Sequence, residues 1–333
     1  MNYKQSKQIL EEIEKADKIL LNCHRNPDPD SIGSALALRG LLVDMSKQVE
    51  VICPSKELFE NVNYLSGFDK IKKDVDFSKF DFTKFDLLIT LDSSSWDMVS
   101  NKRESSIPKI KTIAIDHHIT NTNYADINLV DDQTTSVGQL LYMLIEDWGM
   151  EVNKDVATCL IAGIVGDTGA FRYPGADENT FRIVSELMKL GADKDMAIQR
   201  IYRSEPIELL KFYAKVLSRI QVDKKNRFVW SAIPYEIYSK LDKPSMAKES
   251  AASMFAQVIE GTDFGFIALE TEPKSLAISL RSRSGFDTSK IALELGGGGH
   301  VFASGAKIEG LSFDEAVEKL LSTVRKVVDE NIS

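Results

Sequence analysis

The sequence predicts an α/β protein: a mostly parallel sheet flanked by helices, followed by a second, smaller α/β domain across a cleft. Helical patterns alternate with short apolar runs through the first half, and a new strand pattern opens near residue 227. The 333-residue chain is about twice as long as a typical domain. We therefore expect domains at residues 1–190 and 223–333, joined by a helical linker at residues 191–222.

Amphipathic helices and apolar strands alternate along the first domain. Helical patterns cover residues 6–17, 32–45, 136–148, 156–165 and 179–190, and strand runs cover residues 18–23, 48–53, 86–91 and 111–115. Such apolar runs are typical of parallel strands that are buried on both faces. We interpret residues 195–220, which are long and mixed in polarity, as one helix that connects the domains.

The second domain has its own strands and a closing helix. Strand patterns cover residues 227–233, 265–270, 275–282 and 303–308, and helical patterns cover residues 251–260 and 288–295. The closing helix follows Ser312 and Glu315, whose spacing fits a capping box. These elements predict a compact α/β domain.

Composition excludes several classes of function. A net charge of −9 argues against a protein that binds long duplex nucleic acid or an anionic membrane surface. The N-terminus is polar, and no apolar run approaches the length of a membrane span. The three cysteines are widely spaced in apolar surroundings, so we expect buried, reduced thiols and a cytoplasmic protein.

Polar clusters follow three of the predicted strands. They come directly after "ILLNC", at the end of "DLLITLD" and after "TIAI", and a fourth lies in "AGIVGDTGAF" at the end of a helical run. Ligands of open α/β sheets bind beyond the carboxyl ends of the strands, so we expect these clusters to converge. The candidate residues are His24, Asp28, Asp30, Asp92, Asp116, His117, His118 and Asp167.

This set suits divalent cations. Carboxylates and imidazoles without cysteine favour Mn²⁺, with Mg²⁺ or Co²⁺ as alternatives, over structural zinc. The four carboxylates of Asp28, Asp30, Asp92 and Asp167 carry a charge that two divalent cations balance, and without cations they repel one another. Each cluster alone also fits a turn, a helix cap or a buried histidine. The joint occurrence, with three of the four histidines in the clusters, favours a metal site.

A second signal lies in "SLRSRSGFDTSK" and "GGGGHVFASGA". Glycines let backbone amides approach an anion, and arginines two residues apart on a strand share a face that suits phosphate. A flexible glycine hinge with two solvated arginines fits the spacing as well. The candidate substrate contacts are Arg281, Ser282, Arg283, Gly298, Gly299 and His300.

The motifs "HRNPDPDSIG", "LITLDSS", "AIDHHITN", "GIVGDTGAF" and "GGGGHVFASGA" resemble, in order, those of the DHH phosphoesterase superfamily with a DHH-associated C-terminal domain. Within it, the chain is similar to the oligoribonuclease and pAp phosphatase type. The chain departs from the family pattern at Pro29, where a glycine is usual, and at Ser31, where alanine is common.

The resemblance implies a role for each candidate residue. One ion would be held by His24, Asp28 and Asp92, and the other by Asp30, Asp92, His117 and Asp167, with Asp92 bridging the two. His118 would face the substrate phosphate, and Asp116 would orient the histidines. The glycine-histidine motif and the nearby Arg and Ser residues would hold the nucleotide.

The implied function is two-metal hydrolysis of short oligoribonucleotides (nanoRNA) to mononucleotides, and of 3′-phosphoadenosine 5′-phosphate (pAp) to AMP. The family also admits a homodimer. The alternatives are a phosphodiesterase for linear or cyclic dinucleotides and, from another class, a non-catalytic nucleotide sensor. The glycine-histidine segment disfavours a pyrophosphatase, and the absence of a broad basic groove disfavours a single-strand exonuclease.

Overall fold

The computed structural model describes residues 2–102, 105–173, 175–241 and 247–332. It comprises two compact units, Met1–Ser204 and Glu205–Ser333. The boundary falls inside the predicted linker, so residues 191–204 belong to the first unit and residues 205–222 to the second. The predicted class, a parallel sheet flanked by helices followed by a smaller α/β unit, is confirmed.

The first unit is built on six parallel strands in the order β3-β2-β1-β4-β5-β6. Four of them match the predicted runs, and β3 and β6 were not predicted. Because each is only two to four residues long, neither gives a recognisable apolar pattern. The strands are β1 (Lys18–Asn22), β2 (Gln48–Ile52), β3 (Ile71–Lys72), β4 (Leu87–Leu91), β5 (Lys111–Asp116) and β6 (Ile127–Val130).

Both faces of this sheet are buried. Ile19 and Leu21 of β1 pack into the main core with the helices, whereas Leu20 between them packs on the other face against Leu88 and Trp96. That alternation explains the uniformly apolar sequence of the strands. The helices are α1 (Ser6–Lys15), α2 (Pro29–Asp44), α3 (Trp96–Ser100), α4 (Val137–Trp148), α5 (Lys154–Asp167), α6 (Glu178–Lys189) and α7 (Lys194–Tyr202).

The second unit has a mixed six-stranded sheet in the order β11-β12-β10-β9-β8-β7, in which only β8 and β9 run parallel. Separate apolar clusters bury its two faces. Its helices are α8 (Ile207–Leu217), α9 (Tyr235–Tyr238), α10 (Ala247–Phe255), α11 (Thr288–Glu294) and α12 (Phe313–Ile332). Its strands are β7 (Gln221–Asp223), β8 (Phe228–Ile233), β9 (Phe264–Glu272), β10 (Ser275–Ser282), β11 (Gly298–Gly299) and β12 (Ala303–Glu309).

The prediction of one connecting helix over residues 195–220 is wrong. Helix α7 ends at Tyr202 and α8 begins at Ile207, with Pro206 at the N-cap of α8. Proline lacks an N–H and disfavours helical geometry in the residue before it, so the helix breaks there.

Two smaller predictions, a capping box at the start of α12 and buried free thiols, are confirmed. The Ser312 N–H donates to Glu315 Oε2 at 3.0 Å, as a capping box requires. Cys23, Cys53 and Cys159 are free and buried. No helix in the described part of the chain is long and apolar enough to cross a membrane.

Candidate metal centre

Three neighbouring strands deliver the polar clusters to one edge of the first sheet. His24 lies two residues after β1, Asp92 directly follows β4, and Asp116 is the last residue of β5. Strands β1, β4 and β5 are adjacent and parallel, so their carboxyl ends meet at the same edge. The convergence expected from the sequence is present in the fold.

The loop after β1 is fixed by the start of α2. Asp28 is the N-cap, and its Oδ1 accepts the N–H groups of Asp30 at 3.0 Å and Ser31 at 2.9 Å. Pro29 occupies the first helical position, where an N–H is not needed and proline geometry suits the helix. The Ser31 hydroxyl accepts the His24 N–H at 3.1 Å. Both departures from the family pattern are therefore accommodated by the local structure.

Three groups of side chains bring potential ligand atoms within 4.8 Å of one another. All three groups contain Asp92. Two of the groups contain the same residues that the family resemblance implies as ligands of the two ions. The groups are His24, Asp28 and Asp92; Asp30, Asp92, His117 and Asp167; and Asp92, His117 and His118.

The two inner histidines are oriented by backbone carbonyls. His24 Nδ1 lies 2.8 Å from the Arg25 carbonyl oxygen, and His117 Nδ1 lies 3.3 Å from that of Thr134. A carbonyl only accepts, so each Nδ1 carries the hydrogen and each Nε2 is left to face the carboxylates. His24 Nε2 lies 3.3 Å from Asp92 Oδ2, and His117 Nε2 lies 3.2 Å from Asp167 Oδ2. A proton, on the imidazole or on the facing carboxyl, or a metal cation has to lie between each Nε2 and its carboxylate.

Asp92 lies between these histidines in a strained conformation. Its φ of +53° is in the left-handed region, which is uncommon for residues other than glycine. The side chain is buried, and Oδ1 has no hydrogen-bond donor among the described residues. An unsatisfied buried carboxylate oxygen is costly, and a cation would relieve that cost. The donor set around Asp92 therefore fits divalent metal ions.

Asp30 is held from two sides. Its carboxylate accepts the N–H groups of Val137 at 2.6 Å and Gly138 at 2.9 Å, at the start of α4, and the Ser34 hydroxyl at 3.1 Å. A Cβ at Gly163 would come within 2.2 Å of Asp30 Oδ1, so only glycine fits there. These contacts fix the carboxylate while leaving it within reach of His117 and Asp167.

Burial and mutual repulsion shift the pKa values of the cluster. Burial, and then the charge of Asp92, raises the pKa of Asp30 to about 7. Burial, and then the charge of Asp30, raises the pKa of Asp167 well above its usual range. Burial alone would lower the pKa of His24, but its hydrogen bond to Asp92 and the charge of that carboxylate raise it to about 9. Without cations, protons are therefore retained near neutral pH.

His118, Asp116 and Asn121 are linked by hydrogen bonds at the edge of the cluster. His118 Nδ1 donates to Asp116 Oδ1 at 2.8 Å, and the other Asp116 oxygen accepts from Asn121 Nδ2 at 2.6 Å. Asp116 is fully buried, whereas the His118 side chain is 45% exposed. Because Nδ1 is engaged, Nε2 is the ring atom left for another partner.

Several groups that position the candidate ligands were not predicted from the sequence. Asn121 lies within the motif "AIDHHITN", only five residues after Asp116, so a contact between the two side chains could have been predicted. The Val137 and Gly138 amides lie more than 100 residues from Asp30 and offered no local signal. The carbonyls of Arg25 and Thr134 gave none either, because every residue has a carbonyl.

In the second unit, the two candidate arginines lie two residues apart at the end of β10. Arg281 donates to the Ser253 hydroxyl at 3.2 Å, and Arg283 donates to the Thr262 carbonyl at 3.2 Å. Ser282, between them, is buried, and its hydroxyl accepts the Gly285 N–H at 3.1 Å. Neither arginine has a carboxylate within 4.0 Å among the described residues.

The glycine run forms part of a hairpin. Gly298 and Gly299 make up β11, and a Cβ at Gly299 would come within 2.5 Å of the Ser304 Cα on β12. A Cβ at Gly298 would meet nothing within 4 Å, and His300 is exposed at the hairpin turn. A Cβ at Gly297 would come within 2.2 Å of the Gly305 carbonyl oxygen, so strand packing requires two glycines of the run, while Gly298 and His300 present an open surface.

Comparisons with known proteins agree with this geometry. A model of the DHH family, N-terminal domain, matches residues 18–164, and a model of the DHHA1 domain matches residues 237–330. The bifunctional oligoribonuclease and PAP phosphatase NrnA of Thermus thermophilus is 27% identical, over 97% of this chain and 95% of that protein. The probable protein of the same name from Streptococcus mutans is 28% identical, over 96% of this chain and 99% of that protein.

A solved structure extends the similarity to the whole fold. The crystal structure of an exopolyphosphatase-related protein from Bacteroides fragilis matches with a TM-score of 0.89 and 26% identity. The match covers 99% of this chain and 98% of that one.

Proposed function

Because the chain belongs to the DHH family, we propose that it is a metal-dependent hydrolase that cleaves short oligoribonucleotides to mononucleotides and pAp to AMP. Relatives that match over nearly the full length carry both activities in their names, which supports the substrate class. Phosphoester hydrolysis also agrees with the arrangement of carboxylates and imidazoles around Asp92.

One observation carries the metal dependence: two imidazole Nε2 atoms face carboxylates around the buried Asp92. We propose that His24, Asp28 and Asp92 hold one ion. Asp92 would be shared with a second ion, whose other ligands would be Asp30, His117 and Asp167. Mn²⁺ is the expected metal, since imidazoles take part, with Mg²⁺ and Co²⁺ as alternatives.

The residues of this chain would divide the remaining tasks. When bound, the ions supply charge stabilisation for the phosphoryl oxygens and lower the pKa of water. His118 would meet the substrate phosphate through Nε2 and supply a proton to the leaving oxygen, because its hydrogen bond to Asp116 raises its pKa. Asp116 would act as a positioning residue, held in turn by Asn121.

The affinity for Mn²⁺ is expected to rise with pH. A protonated imidazole cannot bind a metal, and the pKa of His24 is about 9 in the metal-free protein. Binding must therefore displace protons, and the affinity should increase about tenfold per pH unit for each proton displaced. Calorimetric titrations between pH 6 and pH 8 in buffers of different ionisation enthalpy measure both the affinity for Mn²⁺ and the number of protons released. An affinity that does not change over this range would contradict the assignment.

We propose that the second unit binds the nucleotide through Arg281, Ser282, Arg283, Gly298, Gly299 and His300. The two arginines have no carboxylate partner among the described residues and suit phosphate, and His300 is exposed beside an open glycine.

His300→Ala is expected to raise KM for a dinucleotide about tenfold and to leave kcat nearly unchanged. Steady-state kinetics test this, and an equal loss of kcat would indicate a role in the reaction itself.

The proposed function is tested by a substrate panel. Purified protein is incubated with Mn²⁺, Mg²⁺ or Co²⁺ and with pAp, pApA, cyclic di-AMP or pyrophosphate, and released AMP or phosphate is measured. We expect AMP from pAp and from pApA, fastest with Mn²⁺. Preferential cleavage of cyclic di-AMP would favour the dinucleotide phosphodiesterase, and no product from any substrate would favour a nucleotide sensor.

A further inference from the structure

The turn that follows α5 is left-handed over three consecutive residues. Gly169, Ala170 and Phe171 have φ values of 60°, 56° and 65°. This conformation is unfavourable for residues that carry a Cβ. Such strain persists only where surrounding contacts enforce it, and it concentrates at functional sites. Here it begins two residues after Asp167.

Thr168 enforces the turn. Its buried hydroxyl donates to the Ile164 carbonyl at 2.6 Å and accepts the Phe171 N–H at 3.0 Å. Its carbonyl oxygen accepts the N–H groups of Arg172 at 2.9 Å and Tyr173 at 3.0 Å. Four hydrogen bonds to one residue therefore fix the backbone that carries Arg172 relative to the end of α5.

The Arg172 side chain is oriented but carries no ion pair. Its Nε donates to the Gly169 carbonyl at 2.6 Å, and its guanidinium carbon lies 5.2 Å from the centre of the Tyr202 ring. No carboxylate lies within 4.0 Å of this guanidinium in the described part of the chain. The residue is exposed, and its terminal nitrogens have no protein partner among the described residues.

A continuous series of contacts joins Arg172 to the metal centre. The Tyr202 hydroxyl donates to the Gly166 carbonyl at 2.6 Å, one residue before Asp167. A Cβ at Gly166 would come within 2.8 Å of Pro29, which lies between Asp28 and Asp30. The guanidinium thus lies beside the end of α5, which carries Asp167 and closely approaches Pro29 between Asp28 and Asp30.

We propose that Arg172 determines substrate specificity by binding a second phosphate of the substrate, beside the phosphate that is hydrolysed. The inference rests on the proposed function, since pAp and 5′-phosphorylated dinucleotides each carry a phosphate besides the scissile one. In a chain of net charge −9, that second phosphate needs a fixed positive partner. A pre-oriented guanidinium with free terminal nitrogens forms paired hydrogen bonds to phosphate.

The experiment compares pAp with adenosine 3′-monophosphate, which has the same scissile ester but lacks the 5′-phosphate. In Arg172→Ala, the ratio of kcat/KM for pAp to kcat/KM for adenosine 3′-monophosphate should fall at least about tenfold, through KM for pAp. Arg172→Lys keeps the charge and the side-chain stem but loses the paired geometry, so it should show an intermediate fall. Arg182→Ala, which removes an exposed arginine paired with Glu146, is the matched control and should leave the ratio unchanged.

An unchanged ratio in Arg172→Ala would overturn the inference, whether the two kcat/KM values stay at the wild-type level or fall by the same factor. Calorimetric binding of pAp in the presence of a chelator, which prevents hydrolysis, gives the same comparison without turnover, and Arg172→Ala should weaken it at least about tenfold. Equal pAp affinities in wild type and variant would also overturn it. Failure of the proposed function is a separate result, because wild-type protein would then release no product from pAp.

Discussion

Asp92→Ala is expected to reduce turnover of pAp by at least about 1,000-fold. The reason is that Asp92 is the one residue common to all three groups of potential ligands. In the proposed site its loss would remove an oxygen from each ion at once, and it leaves His24 and His117 without the Asp92 carboxylate that faces them. Initial rates at saturating Mn²⁺ measure the effect.

Asp155→Ala is the matched control for this variant. Asp155 lies exposed in the first turn of α5, at the opposite end of the helix from Asp167. Its removal should leave turnover unchanged, because it deletes a carboxylate without touching the cluster. Near-normal turnover in Asp92→Ala, at a metal concentration that saturates the wild type, would show that the two ions do not share this residue.

Divalent metal should also stabilise the first unit strongly. Metal at about 100 times its dissociation constant adds about 2.7 kcal/mol to the free energy of unfolding. For a unit of this size, that corresponds to a rise of roughly 5–10 °C in the midpoint of thermal unfolding. The physical cause is that cations relieve the repulsion between buried carboxylates and replace the protons that Asp30 and His24 retain.

Differential scanning calorimetry with Mn²⁺ and with a chelator measures this shift. Asp155→Ala should keep it, whereas Asp92→Ala should lose most of it. The transition of the second unit, if resolved, should not move, because its candidate residues include no cluster of carboxylates. An equal shift in Asp92→Ala would place the stabilising ion elsewhere.

Much of the candidate site could be predicted because several of its residues lie at the ends of strands. The apolar runs identified β1, β4 and β5, and the rule that parallel strands present their carboxyl ends at one edge then joined His24, Asp92 and Asp116 in space. The capping box of α12 could also be predicted, because Ser312 and Glu315 stand three residues apart at the start of the helical pattern. These predictions of the site and of the helix cap therefore rested on residue chemistry and on sheet topology.

The remainder depends on contacts that no local pattern encodes. The Asp30 carboxylate is held by amides of α4, and its place depends on Gly163 lacking a Cβ. The strained turn at Ala170 and Phe171 follows from hydrogen bonds to Thr168, and alanine and phenylalanine do not predict positive φ. The helix break is different, since Pro206 stands in the sequence and disfavours helical geometry in the residue before it.

Two cations should be bound by one set of side chains in the first unit. A crystal of the protein grown with Mn²⁺ and measured at the manganese absorption edge tests this most directly. We expect two anomalous peaks about 3.5–4 Å apart on either side of Asp92, one near His24 and one near His117. A single peak, or peaks away from these residues, would contradict it.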